Sequence, residues 1–377
     1  MRQRYGNQSV WRAFRRHWLP VLGLVAVVEC LGFFPALIER FYSTCIYTGL
    51  SQLLRLLTGW IPFSLGDVLY ALATAWLLVK FLRFCYELAK GRVTWRLTGR
   101  KLLRLLHLLL WVYVVFQLAW GLNYSRPGIE SQLNLRPEAY KKEDADRLCA
   151  LFIERMNACR RQMPDSSLRQ PAIEQVFDGA ETAYAGIAGR FPFLHYRARS
   201  VKTSLYSATL GSYFGFTGYY DPFTGEAQVR SDIPRVLTPY IACHEMAHQL
   251  GYASESEANF VGYLAASRSG DPYFRYSVYL DLFSYAQGEE LRLYFADGDT
   301  TGLKQVLQSH REQLDTLVKK DRREIREFFF RRRNRISPVM SGLYDQYLKF
   351  NRQSLGIDSY DEVLGWMLAY EKKYGSL

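Results

Sequence analysis

Three long apolar runs dominate the first third of the chain. Residues 18–38 (WLPVLGLVAVVECLGFFPALI) carry one charge, Glu29. Residues 61–82 (IPFSLGDVLYALATAWLLVKFL) carry Asp67 and Lys80 near their ends, and residues 105–122 (LLHLLLWVYVVFQLAWGL) carry only His107. A helix of about 20 apolar residues crosses roughly 30 Å of hydrocarbon, so the pattern predicts three transmembrane helices at about 18–38, 61–82 and 105–122. The first run is too long for a signal peptide, lacks a small-residue exit and is followed by further spans. Segment 46–59 (IYTGLSQLLRLLTG) is too short to span and is expected to lie along the membrane interface.

Beyond Leu122 the pattern becomes that of a folded domain. A linker over 123–136 leads to a segment (137–163) with Leu148, Leu151, Phe152 and Met156 at helical spacing. A second helix is expected from about Pro171 to Ile187, with proline in its first turn. Between 195 and 233, clusters of Tyr, Phe, Thr and Val separated by Gly-Ser, Asp-Pro and Thr-Gly predict a few strands and hairpins. From Pro239 to about Tyr374 helix returns. The fold class read from this is α+β and mostly helical, with a membrane anchor over 1–122 and a folded domain with a small β-sheet over 137–377.

Charge sharpens the picture once it is located. The net charge is +12, which on its own would invite a nucleic-acid partner. Residues 1–17 contribute +5 and residues 80–104 contribute +7, so the remainder is neutral. Basic residues collect on the cytoplasmic side of short membrane loops. The two blocks therefore predict an N-terminus inside, a first loop outside, a second loop inside, and everything after Leu122 outside the cytoplasm. They report orientation in a lipid bilayer, expected to be the cytoplasmic (inner) membrane, and exclude a genome as partner. Trp18, Trp60, Trp120 and Tyr124 fall where interfacial aromatic belts are expected. Six cysteines show no disulfide framework and no Cys-based zinc pattern; Cys149 and Cys159 share one predicted helix, about 15 Å apart.

The chemistry concentrates in residues 238–260, TPYIACHEMAHQLGYASESEANF. His244 and His248 are four apart, so a helix presents both imidazoles on one face. That spacing suits two nitrogens of a tetrahedral zinc site. Glu245 beside them suits the general base of H-E-x-x-H chemistry, acting on a water that the metal activates. The metal would be Zn2+, and a zinc hydrolase needs a third protein ligand. Ser254 stands where a metzincin would place a third His, so the next candidates are Glu255 and Glu257. Gly251 permits a turn between them and the motif. Ser254 and Glu257 also fit S-x-x-E, a capping box, which gives Glu257 a structural role.

Three N-terminal spans followed by YFGFTGYYDPFTGEAQV, HEMAHQLGYASESEANF, RYSVYLDLF and SYDEVLGWMLAYEKKYG resemble an uncharacterised bacterial integral-membrane family. It is catalogued as a domain of unknown function and grouped with gluzincin-type zinc metallopeptidases. The ESEAN string resembles the E-x-x-A-D or E-x-x-A-N element of gluzincins. The resemblance implies a zincin-like catalytic domain, Glu255 as third zinc ligand and Asn259 as the residue orienting a ligating histidine. It implies a membrane-anchored zinc metallohydrolase acting on a peptide or protein, with Glu245 catalytic and His244, His248 and Glu255 on the metal. It further points to Gly218–Val229 as a substrate-binding edge, and to Tyr276, Tyr279, Arg275 or His310 as oxyanion stabiliser. Two other readings stay open at this point: a metal-binding envelope scaffold or sensor without hydrolytic activity, and a transporter or assembly subunit in which Glu29 and His107 are functional.

Overall fold

The computed structural model describes residues 2–137, 139–163, 171–334, 336–351, 353 and 362–377, with side chains from residue 15 onward. Arg335 and the Ser359–Asp361 start of the C-terminal motif lie outside the described residues. The chain divides into two compact units, Met1–Leu50 with Leu65–Pro127, and Ser51–Ser64 with Gly128–Leu377.

The first unit holds α1 (Arg2–Leu31), the short α2 (Pro35–Leu37), a π-helical stretch (Ile38–Ile46), the start of α3 (Tyr47–Thr58), α4 (Leu65–Ala89) and α5 (Trp95–Ala119). Helices α4 and α5 are each long and apolar enough to cross a membrane. Leu72, Phe81 and Leu82 on α4, and Leu102 and Leu109 on α5, are more than half exposed. Such continuous apolar surface is stable against lipid and not against water. The third candidate differs from the expected 18–38: the helix breaks at a turn before Pro35, and Arg15–Leu31 passes the same test only together with Pro35–Thr58, to which it is bent by 97°. Two such helices, or three with the bent pair as one span, point to a membrane protein.

The second basic block also differs from expectation. It was to be a loop, yet α4 continues through Lys80 and Arg83 to Ala89, and α5 begins at Trp95, capped by the Thr94 side chain accepting from Leu97 N. Lys and Arg are good helix formers, so the block rides on two helix ends joined by a short turn, with Lys101 paired to Glu87. Within the unit, the Tyr113 hydroxyl donates to Glu29 and the Trp111 indole donates to His107 Nε2 at 3.1 Å. Arg126 makes a bidentate pair with Glu39.

The second unit contains the remaining helices: α6 (Ile129–Leu133), α7 (Lys142–Gln162), α8 (Ile173–Ala188), α9 (Ser207–Phe214), α10 (Thr238–Gln249), α11 (Glu255–Ala266), α12 (Pro272–Ala296), α13 (Thr300–Gln313), α14 (Thr316–Arg331), α15 (Ser337–Phe350) and α16 (Val363–Tyr374). Its sheet has three short strands, β1 (Val201–Thr203), β2 (Gly218–Asp221) and β3 (Glu226–Val229), in the order β1-β3-β2. β1 runs parallel to β3 and β2 antiparallel to it, with Gly218 opposite Val229. The mostly helical character and the small sheet agree with the pattern reading. Helix α9, inside the region expected to be strands and hairpins, does not.

Two segments belong to this unit against expectation. Ser51–Ser64, of which 51–59 was expected at the membrane interface and 61–64 at the start of a span, supplies buried Ser51, Arg55, Thr58 and Ser64. Arg55 stacks 4.5 Å from the Tyr196 ring centroid, and the Lys202 ammonium donates to the carbonyls of Thr58 and Phe63. Polar residues at helical spacing had a protein face to bury. The expected linker 123–136 likewise ends in α6, with Ile129, Leu133 and Leu135 buried.

Helix α10 is the centre of the unit. It packs against α8, α11, α12 and the sheet, and from Thr238 to Gln249 only His244 among its side chains is not fully buried. An all-round buried helix needs small or apolar residues except where chemistry demands otherwise. Here Ala242, Cys243, Met246 and Ala247 meet that need, which leaves His244, Glu245 and His248 to be explained.

Candidate metal centre

Proline at position 239 opens α10 in its first turn, and Gly251 closes it. Gly251 has φ +89°. Its N–H donates to His248 O, and the N–H of Tyr252 donates to Ala247 O. These are the two bonds of a Schellman motif, which needs a left-handed residue at that place. The reversal folds the Tyr252 carbonyl back over the helix end, 2.7 Å from His248 Nδ1. A carbonyl only accepts, so Nδ1 carries a proton and Nε2 is the nitrogen aimed at the helix face.

The chain then enters α11, whose first residue is Glu255. Its Oε2 lies 3.2 Å from His244 Nε2 and 3.5 Å from His248 Nε2, and the two nitrogens are 3.1 Å apart. With zinc bonds of roughly 2.0–2.2 Å, two ligands of a tetrahedral ion stand about 3.3–3.5 Å apart. The three donor atoms therefore form one face of a tetrahedron of zinc's size. Glu255 Oε2 is buried and accepts no hydrogen bond, so its lone pairs have no other occupation. The donor set and its dimensions fit the ion.

A surrounding shell holds these ligands. His244 is hydrogen-bonded to the Asn259 side chain, one turn along α11 from Glu255. Asn259 accepts in turn from the Tyr240 hydroxyl. The other oxygen of Glu255, Oε1, accepts from the Tyr344 hydroxyl at 2.9 Å. Such outer partners fix the orientation of ligands and their basicity.

Glu257 is placed elsewhere. Its carboxylate accepts from the backbone N–H of Ile129 at 2.7 Å, holding the first turn of α6. The capping box expected from Ser254 and Glu257 does not form: Ser254 makes no side-chain cap and its hydroxyl pairs with that of Ser256. The carboxylate went to a more distant amide because α6 presents unsatisfied N–H groups of its own.

Electrostatics follow from burial and proximity. Burial opposes charge on His248, but the adjacent Glu255 prevails and raises its pKa to about 9. Burial would raise Glu255, yet the two imidazoles hold it far below the usual carboxylate range. His244 is lowered, chiefly by burial. Without metal, a proton on His248 Nε2 thus points at His244 Nε2 and Glu255, where a cation would otherwise sit. Burial, reinforced by Glu255 and opposed by His248, pushes Glu245 up to about 8. Its Oε2 is buried without a hydrogen-bond partner. A Cβ at Gly218 would collide with the Glu245 carboxylate, so only glycine lets β2 pass this close.

The four oxyanion candidates are engaged elsewhere. Tyr276 donates to Asp321, Tyr279 accepts from Arg155, Arg275 donates to the carbonyls of Ser269 and Gly270, and His310 lies beside Glu290. Gly218–Val229 forms the β2–β3 hairpin with β2 at the sheet edge. Sequence reasoning missed Tyr344. It stands 89 positions after Glu255, in a chain with 27 tyrosines, and no local signal distinguishes it.

The chain belongs to the family described as "Protein of unknown function (DUF3810)", which it matches over residues 42–368. No curated protein and no solved structure matches it.

Proposed function

We propose that this protein is a membrane-anchored zinc metallohydrolase of the gluzincin kind, a peptidase acting on peptide or protein substrates. The observation that carries the reading is the triangle of His244 Nε2, His248 Nε2 and Glu255 Oε2, with edges of 3.1, 3.2 and 3.5 Å, on an H-E-x-x-H helix. Zinc held there would act as a Lewis acid, polarising a carbonyl and activating water for attack. Glu245 would take the proton of that water at its carboxylate and return it to the leaving amine. Burial raises Glu245 in the metal-free site and a bound dication would favour its carboxylate, the form that accepts the proton. Tyr252 and Asn259 hold the two imidazoles in the tautomer that leaves Nε2 free to ligate, and Tyr344 positions Glu255.

The orientation we propose places the N-terminus in the cytoplasm and the metal-binding unit on the extracytoplasmic side of the inner membrane. It rests on the basic blocks at 1–17 and 80–104 and their attraction to the cytoplasmic side.

The test is cleavage of a peptide library by the purified full chain, with and without zinc. Glu245→Gln is expected to lower turnover roughly 100- to 10,000-fold while zinc stays bound at the wild-type ratio. Full activity in that variant would exclude the mechanism, and no cleavage by a zinc-loaded wild type would favour a scaffold or sensor.

A further inference from the structure

Helices α7, α12 and α13 enclose a second group of ligand-type side chains within the same unit. Cys149 Sγ, a Glu290 carboxylate oxygen and a His310 ring nitrogen all lie within 4.8 Å of one another. All three residues are buried, Cys149 and Glu290 completely. His310 Nδ1 stands 3.5 Å from Glu290 Oε2. Neither oxygen of Glu290 receives a hydrogen bond from a donor, His310 Nδ1 has no hydrogen-bond partner, and Asp146 Oδ1 is buried in the same condition. The other Asp146 oxygen accepts from the Tyr294 hydroxyl at 2.9 Å, which fixes the carboxylate.

Buried polar atoms normally find partners, and a buried carboxylate with none is costly. The groups that approach Glu290 are Asp146, Cys149 and His310. Burial pushes the Cys149 thiol far above its ordinary range and Glu290 up to about 8, so the metal-free cluster keeps these protons. Among the described residues, the cation beside this cluster is Arg322, and it is engaged otherwise. It donates to Gln287 and stacks on Phe283 at 4.4 Å, whose ring meets His310 edge-on. Once Cys149 is a thiolate and Glu290 and Asp146 are carboxylates, their charge exceeds that guanidinium by two, which one divalent cation would balance.

We propose that Cys149, Glu290 and His310 form a second metal centre that takes a divalent first-row transition cation of zinc's class. Sulfur, imidazole and carboxylate together suit zinc or cobalt and not the oxygen-seeking magnesium or calcium. The three donors come from three different helices and are all buried, so the site is structural and ties α12 and α13 to α7. Loading replaces the thiol proton of Cys149 and any proton held between Glu290 and Asp146 with one cation, the protons passing to solvent. The proposal does not depend on the H-E-x-x-H centre or on hydrolysis.

Cobalt reports this site selectively, because the H-E-x-x-H centre contains no sulfur. The full chain in detergent micelles, metal-free and titrated with Co2+, is expected to develop a near-ultraviolet thiolate-to-cobalt charge-transfer band that saturates by two ions per chain, and at one ion in a His244→Ala/His248→Ala chain. The band should persist in a His244→Ala/His248→Ala chain and in Cys159→Ser, and should be lost, with one bound ion, in Cys149→Ser. A wild type that binds cobalt without the band overturns the proposal, as does a band lost with Cys159→Ser or kept in a folded Cys149→Ser. Should Cys149→Ser not fold, the wild-type and Cys159→Ser spectra decide between the same two outcomes.

Discussion

His248 donates its Nδ1 proton to the backbone carbonyl of Tyr252, four residues on and 2.7 Å away. That carbonyl is where it is because Gly251 adopts φ +89°, so the tautomer of a proposed metal ligand depends on one left-handed residue outside the His244–His248–Glu255 triangle.

Gly251→Val is therefore expected to weaken zinc binding. A β-branched side chain in the left-handed region is strained, and moving the Tyr252 carbonyl removes the partner that orients His248. Loss of such a partner typically lowers metal affinity about 10- to 100-fold. Competition with a chromogenic chelator measures it, with Gly251→Asn, which tolerates this conformation, as the milder comparison. Unchanged affinity in a folded Gly251→Val chain would show that the turn does not orient the ligand.

Metal-free and zinc-loaded protein should respond to pH with different slopes. His248 rises from 6.5 to about 9 on folding and Glu245 from 4.5 to about 8. The folded chain thus binds more protons than the unfolded one across this range, and its stability falls with rising pH. The His248 contribution is fully present below 6.5 and lost as pH rises through about 9; the Glu245 cost grows from 4.5 to about 8. With a chelator present, Tm is expected to fall between pH 6.5 and 9. Zinc requires the deprotonated imidazole, so the Tm increment produced by a fixed zinc concentration should grow over the same interval. Parallel slopes in the two conditions would contradict the assignment of the proton to His248.

Lys202 tests how firmly residues 51–64 are built into the second unit. Its ammonium meets Glu226 at 2.6 Å and donates to the carbonyls of Thr58 and Phe63, all in a buried setting. Lys202→Ala leaves Glu226 buried without its cation, which costs about 3–5 kcal/mol for such pairs. Urea unfolding of the full chain in detergent reads the loss, and Lys202→Met combined with Glu226→Gln should recover most of it. A loss below about 1 kcal/mol, the range of exposed pairs, would mean that solvent reaches the pair.

The parts of the site that sequence could reveal are those set by helical spacing. His244 and His248 at four residues, and Glu255 with Asn259 at four residues, share faces whatever surrounds them. The partners that discriminate between candidates come from far along the chain. Glu257 meets Ile129 from 128 positions away, and Tyr344 reaches Glu255 from 89. The small sheet was visible as β-prone residues between turn signals, but α9 was not, because SATLGSYF carries small and aromatic residues that suit either state. The two helices long and apolar enough to cross a membrane, α4 and α5, were legible by apolar length, whereas the break before Pro35 was not. Their ends were not, since the basic residues at 80–104 favour helix as readily as they mark a loop.

The Ser51–Ser64 segment also sets a chronology. Ser51 donates to Gln249 O, 198 positions later, and Thr58 and Ser64 bond to Ser200 and Gln228, 142 and 164 positions later. A chain made from its N-terminus delivers this segment first, then both apolar helices α4 and α5, and only afterwards the residues that receive it. The unit bearing His244 and His248 therefore cannot close around this segment until Gln249 has been made. Its earliest piece is held open until the segments destined for lipid have already been made.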